Sequence, residues 1–189
     1  MKKTAGKSGG METPPAAEKA RPLKIGHIGW LKQDEGPECT TVAWCDINAR
    51  KLQDLAPKHP AIAMFTDYRE MLRKADLDLV VISSPNFAHA EQAVAFLDAG
   101  KHVFLEKPIG INREECDRIE NFRNGAYEFY HDSDAMRREF IRRCAAGQPP
   151  VQDPLDAWRS HMVCLAAKQS AREDFRRVKV DYTLPKGLK

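Results

Sequence analysis

Hydrophobic and polar positions along this chain switch between two periods, and the switches mark out the elements. Residues 23–28 (LKIGHI), 40–45 (TTVAWC) and 79–82 (LVVI) are short apolar or β-branched runs, closed by Gly29, Asp46 and Ser83-Ser84. Such runs mark strands of a parallel sheet with both faces covered. Residues 60–65 and 102–105 add two more strands of the same kind. Between them the spacing turns helical. Residues 49–58 form one helix, and Asp67 caps a second over 68–75. A third covers 88–99, with apolar positions 90, 93, 94 and 97 and Gly100 as its stop. A fourth, 111–122, opens on Asn112 followed three residues later by Glu115, an approximate capping box.

Beyond residue 123 the pattern predicts two helices and a strand. Ser133 or Asp134 caps a helix to 146, ended by Gly147 and Pro149-Pro150, and Asp153 caps another over about 155–172. Residues 178–180 then read as a short closing strand. Strand and helix in alternation predict an α/β fold, a Rossmann-like parallel sheet flanked by helices, with a C-terminal helical pair and short final strand.

Composition narrows this picture. Residues 1–22 are polar, rich in Lys, Gly, Pro and Ala, and lack periodicity. They cannot bury enough apolar surface to offset ordering entropy, so a disordered lead is expected there. The chain thus divides into a lead (1–22), a Rossmann-like domain (23–122) and a short C-terminal segment (123–189). A net charge of +3 gives no footprint for nucleic acid. No apolar run reaches the ~20 residues that cross a bilayer, so no membrane partner is expected. The basic start has no apolar stretch after it, and the five cysteines show no paired spacing. Both features point to a cytoplasmic protein with reduced thiols. The six histidines show no metal-ligand spacing, and no metal is expected.

Candidate chemistry gathers where the strands end. In open α/β sheets ligands bind outside the carboxyl ends of the strands. Gly26 and Gly29 belong to the first strand and its exit, where a dinucleotide fold carries G-x-G-x-x-G; equally, they serve a tight turn. Counting from Gly29, the other two glycines would fall at 31 and 34, where Leu31 and Asp34 stand. Ten residues between Gly29 and Thr40, broken by Gly36-Pro37, leave a stunted first crossover. Asp46, ending the second strand, is placed to accept hydrogen bonds from an adenosine ribose, which favours NAD over NADP without excluding the latter; alternatively Asp46 or Asn48 caps the following helix. Ser83, Ser84, Pro85, Asn86 and His89 follow the next strand exit. Glu106, Lys107 and Pro108 follow the one after, with Lys107 able to orient a hydroxyl or assist proton transfer.

The segment SSPNFAHAEQAVAFLDAGKHVFLEKPIG resembles the nucleotide-binding domain of the Gfo/Idh/MocA family of oxidoreductases. That resemblance implies that Ser83–His89 lines the nicotinamide side of the cofactor, with Asn86 and His89 reaching its ribose, and that Lys107 is the lysine of the reaction centre. It implies an NAD(P)-dependent hydride transfer on a sugar or polyol. The stretch from 138 to 174 is similar to the family's C-terminal end, so the chain reads as both ends of the family with most of the sheet domain absent. The surface that domain covers elsewhere would then favour self-association. His131 and His161 are candidates for the catalytic histidine of that domain. A second reading is a non-catalytic remnant, a nucleotide-binding or protein-interaction scaffold.

Overall fold

The computed structural model describes residues 21–31, 35–120, 127–130, 134–149 and 154–184. The predicted lead lies outside them except for Arg21 and Pro22, and so do His131, the caps Ser133 and Asp153, and Asp34.

The first strand, β1 (Leu23–Ile28), lies at the centre of a sheet that has seven strands among the described residues. On one side it pairs in parallel with β3 (Cys39–Cys45), which in turn carries β4 (Ala63–Phe65). On the other side β5 (Leu79–Ile82), β6 (His102–Glu106) and β7 (Tyr127–Tyr130) follow in parallel. The parallel order β4-β3-β1-β5-β6-β7 is that of a doubly wound dinucleotide fold. The remaining strand, β2 (Glu35–Gly36), is antiparallel and forms a hairpin with the start of β3.

That hairpin shows how the short first crossover is made. Among the described residues between β1 and β3 there is no helix. Glu35 pairs with Thr40, and Leu23 N–H donates to the Glu38 carbonyl at 2.8 Å. Ten residues at up to ~3.3 Å each can span the length of a six-residue strand.

Helices cover both faces. Strand alternation sends Ile28, Ala43, Cys45, Val80, Ile82, Val103 and Leu105 to one face. There they meet α2 (Tyr68–Lys74), α3 (His89–Asp98), α4 (Arg113–Glu120) and α6 (Pro154–Arg172). Ile25, Leu79, Val81 and Phe104 point to the other face, where Phe140, Ile141 and Cys144 of α5 (Asp134–Ala145) cover them. The rings of Phe104 and Phe140 lie 5.8 Å apart. Trp44 shares that face and is buried under Leu52 of α1 (Ala49–Leu55).

Two expectations for the C-terminal segment change. Its helices are not a pair: α5 and α6 straddle the sheet, one on each face. The closing strand at 178–180 is absent as well. Val180 and Leu184 pack on the helical layer instead, and the Arg113 guanidinium binds the tail through Asp181 and the Thr183 carbonyl. A strand exists only where a partner edge exists, and this tail runs beside α4. The structure also adds β7, which the pattern left unread. Residues beyond 123 are therefore woven into the same sheet as those before it.

Local signals account for most boundaries. Asn48 caps α1, accepting from Lys51 N–H at 3.3 Å, and Asp67 caps α2 from Arg69 N–H at 2.8 Å. α4 starts at Arg113, with Asn112 Oδ1 accepting from Glu115 N–H at 2.9 Å while Glu115 Oε2 accepts from Ile111 N–H at 2.8 Å. Gly100 ends α3 at a φ of +70°.

Candidate active site

The strand register lines up the predicted site residues. Ile28 pairs with Cys45 on one side and Ile82 on the other, and Ile82 pairs with Leu105. The next residue on each strand, Gly29, Asp46, Ser83 and Glu106, therefore stands in one row along the carboxyl edge. At ~4.8 Å per strand the row is roughly 14 Å long.

Gly29 is the tightest point of the row. Its φ is +87°, and a Cβ there would lie 2.5 Å from the Ser83 carbonyl oxygen and 2.9 Å from Ser84 Cα. Gly29 N–H donates to the Cys45 carbonyl and Ser83 N–H to the Ile28 carbonyl, both at 2.9 Å. The glycine is thus required by the neighbouring loop as much as by any ligand. Gly26 is not part of the row. It sits mid-strand, where a Cβ would meet Leu77 and Met71 side chains at 3.0–3.3 Å, so its role is to let the α2 layer pack closely.

Asp46 is held on both oxygens. Oδ1 accepts from Asn48 N–H at 2.9 Å and Oδ2 from the Lys51 ammonium at 2.6 Å. Lys51 also donates to the Gly29 carbonyl at 3.0 Å, bridging the exits of β1 and β3. This lysine was not singled out in the sequence. The available signal was its place in the first turn of α1, three residues after the Asn48 cap. Beside Asp46, the Cys45 thiol is pushed up to about 12 by burial and by the Asp67 and Asp46 carboxylates, so it is no nucleophile at neutral pH.

The loops after β5 and β6 are stitched together. His89 is buried, with Nδ1 2.7 Å from the Pro108 carbonyl oxygen and Nε2 2.8 Å from that of Ser84. Both ring nitrogens are thereby engaged by main chain, so His89 ties the two loops and does not face a ligand. Ser84 Oγ donates to Gln92 Oε1 at 2.6 Å. Pro85 and Asn86 are exposed at the start of a short 3-10 turn, and Lys107 is exposed on its loop, next to a cis Lys107–Pro108 bond. His161 of α6 reaches the same loop: Ile109 N–H donates to its Nε2 at 3.1 Å.

The residues present fit a dinucleotide unevenly. At Gly29 the Ser83–Ser84 backbone takes the space a Cβ would need, and the loops after β5 and β6 lie along the same edge. Between β1 and β3 the described residues offer no helix N-terminus to meet a pyrophosphate. No group of side chains that could hold a metal ion occurs among the described residues, and none of their helices is long and apolar enough to cross a membrane.

Sheet order, the row of loops at the carboxyl edge and the glycine-lined exit of β1 define a Rossmann-type nucleotide-binding domain. Residues 15–124 match the family described as the oxidoreductase family with an NAD-binding Rossmann fold, Gfo/Idh/MocA. The chain belongs to that family. An inositol 2-dehydrogenase of Salmonella typhimurium is 39% identical over 79 residues, covering 41% of this chain and 24% of that enzyme. The scyllo-inositol 2-dehydrogenase (NADP(+)) IolU of Bacillus subtilis is 42% identical over 72 residues, 38% of this chain and 22% of its own. Among solved structures, scyllo-inositol dehydrogenase from Lactobacillus casei with bound NAD(H) and scyllo-inositol superposes with a TM-score of 0.52 at 30% identity. That superposition covers 62% of this chain and 37% of the enzyme. The matched part of this chain thus spans well under half the length of these relatives.

Proposed function

We propose that this chain is an NAD(P)-dependent oxidoreductase of the Gfo/Idh/MocA type acting on a sugar or polyol. The observation that carries the reading is the register that sets Gly29, Asp46, Ser83 and Glu106 in one row. Asp46 and Lys51 would hold the adenosine ribose end, Gly29 would admit the backbone side of the pyrophosphate, and Ser83–Asn86 would line the nicotinamide end. Bound there, the nicotinamide would supply or accept hydride. Lys107, exposed at the end of β6, would orient the reacting hydroxyl and take its proton, with Glu106 beside it. Three large side chains on the exits of adjacent strands, Trp30, Ile47 and Phe87, are exposed by 73%, 88% and 73%. Apolar surface so placed supports a ligand or a further domain covering this edge.

The test is a titration with NADH and NADPH followed by tryptophan fluorescence. Trp44 and Trp158 are buried, so Trp30 is the reporter at the edge. Saturation in the micromolar range, weakened by Asp46→Ala and kept in Lys107→Ala, is the expected result. No response up to millimolar cofactor in a folded protein would overturn the reading.

A further inference from the structure

The peptide unit that follows Lys107-Pro108 is gripped at both poles. Its carbonyl, on Pro108, lies 2.7 Å from His89 Nδ1, and its N–H, on Ile109, donates to His161 Nε2 at 3.1 Å. The two imidazoles come from α3 and α6, elements far apart in the chain. Carbonyl oxygens only accept, and His89 faces one at each ring nitrogen, Pro108 at Nδ1 and Ser84 at Nε2, so a neutral ring donates to one of them and a protonated ring to both; a backbone N–H only donates, so His161 carries no proton at Nε2. A neutral His161 ring accepting at Nε2 carries its proton on Nδ1. Burial holds this imidazole below its ordinary value, in keeping with a neutral acceptor.

The surroundings leave the clamped unit little freedom. Ile109 is fully buried, and a Cβ on Gly110 would lie 2.8 Å from Glu115 Cβ. His89 meets the Ser84 carbonyl with its second nitrogen. One amide is therefore tied to the β5 loop through α3 and to the C-terminal helix through His161, while Lys107, one residue before Pro108, stays exposed.

We propose that His161, acting with His89 through the Pro108–Ile109 amide, is a positioning residue that fixes the main chain carrying Lys107. The segment beyond residue 123 then takes part in the site: α6 supplies one jaw of the clamp. The consequence for chemistry rests on Lys107 serving as proposed above, whereas the clamp itself is a matter of geometry.

Nuclear magnetic resonance on the full chain tests it. In the unmodified protein the His161 ring should be protonated at Nδ1 and bare at Nε2; a proton on Nε2 overturns the proposal, with no variant needed. Loss of one hydrogen bond of this kind corresponds to about tenfold in an opening equilibrium. In His161→Leu the Ile109 amide should therefore exchange about tenfold faster, and the Lys107 and Glu106 amide signals should shift. His161→Gln, whose side-chain carbonyl can accept, should restore both. Unchanged Ile109 exchange in His161→Leu, or equal effects of Leu and Gln, would refute the clamp. The NADH titration of the unmodified chain is scored separately, since its failure would sink the oxidoreductase reading and leave the exchange result standing.

Discussion

Replacing Gly29 by alanine should be far more damaging than replacing Gly100, although both glycines have positive φ. At Gly100 (φ +70°) an added Cβ meets nothing within 4 Å. The cost there is the left-handed backbone alone, about 1 kcal/mol. At Gly29 (φ +87°) the same methyl would stand 2.5 Å from the Ser83 oxygen, 2.8 Å from its carbonyl carbon and 2.9 Å from Ser84 Cα. All three are backbone atoms, so no side chain can swing aside. The exits of β1 and β5 must part, and the 2.9 Å bonds from Ser83 N–H to the Ile28 carbonyl and from Gly29 N–H to the Cys45 carbonyl lengthen with them. Overpacking of this sort adds about 1–3 kcal/mol to the dihedral cost, for a total of roughly 2–4 kcal/mol. In a chain of this size that corresponds to about 5–15 °C in Tm. Urea unfolding followed by far-ultraviolet circular dichroism, at equal m-values, measures the difference. If Gly29→Ala is no less stable than Gly100→Ala, the close approach of the two loops is wrong, and the row of site residues with it.

Lys51→Met should weaken NADPH relative to NADH by about tenfold, because it removes a cation 2.6 Å from Asp46 that could meet a 2′-phosphate. An unchanged ratio in the fluorescence titration would remove Lys51 from the cofactor site. Trp158→Ala should cost about 3–5 kcal/mol in urea unfolding. The ring is fully buried, donates to Asp117 Oδ1 at 2.9 Å and carries the Arg113 guanidinium 4.9 Å from its centre; a loss under about 1 kcal/mol would contradict that packing. Stability should also fall on the acid side of neutrality. Burial lowers His102 and His161 from 6.5, so below that pH the unfolded chain binds protons the folded chain resists. The stabilisation is complete above about 6.5 and lost progressively as pH falls through the folded values. A urea midpoint flat from pH 7 to 5 would count against it, and His102→Gln with His161→Gln should flatten the profile.

Much of this protein was legible in its sequence. β5 and β6 announce themselves because a strand buried on both faces must be apolar throughout, wherever its neighbours come from. Gly100 and Gly147 mark helix ends because their positive φ, +70° and +62°, is a local requirement. The row at the carboxyl edge followed from strand exits that can be counted along the chain, and with it came the family. What the sequence left undetermined is whatever depends on a partner distant in the chain. β7 is a strand because the edge of β6 is there to pair with it, while residues 178–180, of similar strand-favouring composition, lie beside a helix and remain unpaired. Periodicity reports that α5 and α6 each bury one side, but only the tertiary structure decides that they do so on opposite faces of the sheet. The same holds for single side chains. Lys51 carries no signal of its own along the sequence and His161 reads only as a candidate catalytic histidine, and it is the folded chain that brings one to Asp46 and the other to the amide behind Lys107. Burial is encoded residue by residue, but the identity of the neighbour is set by topology.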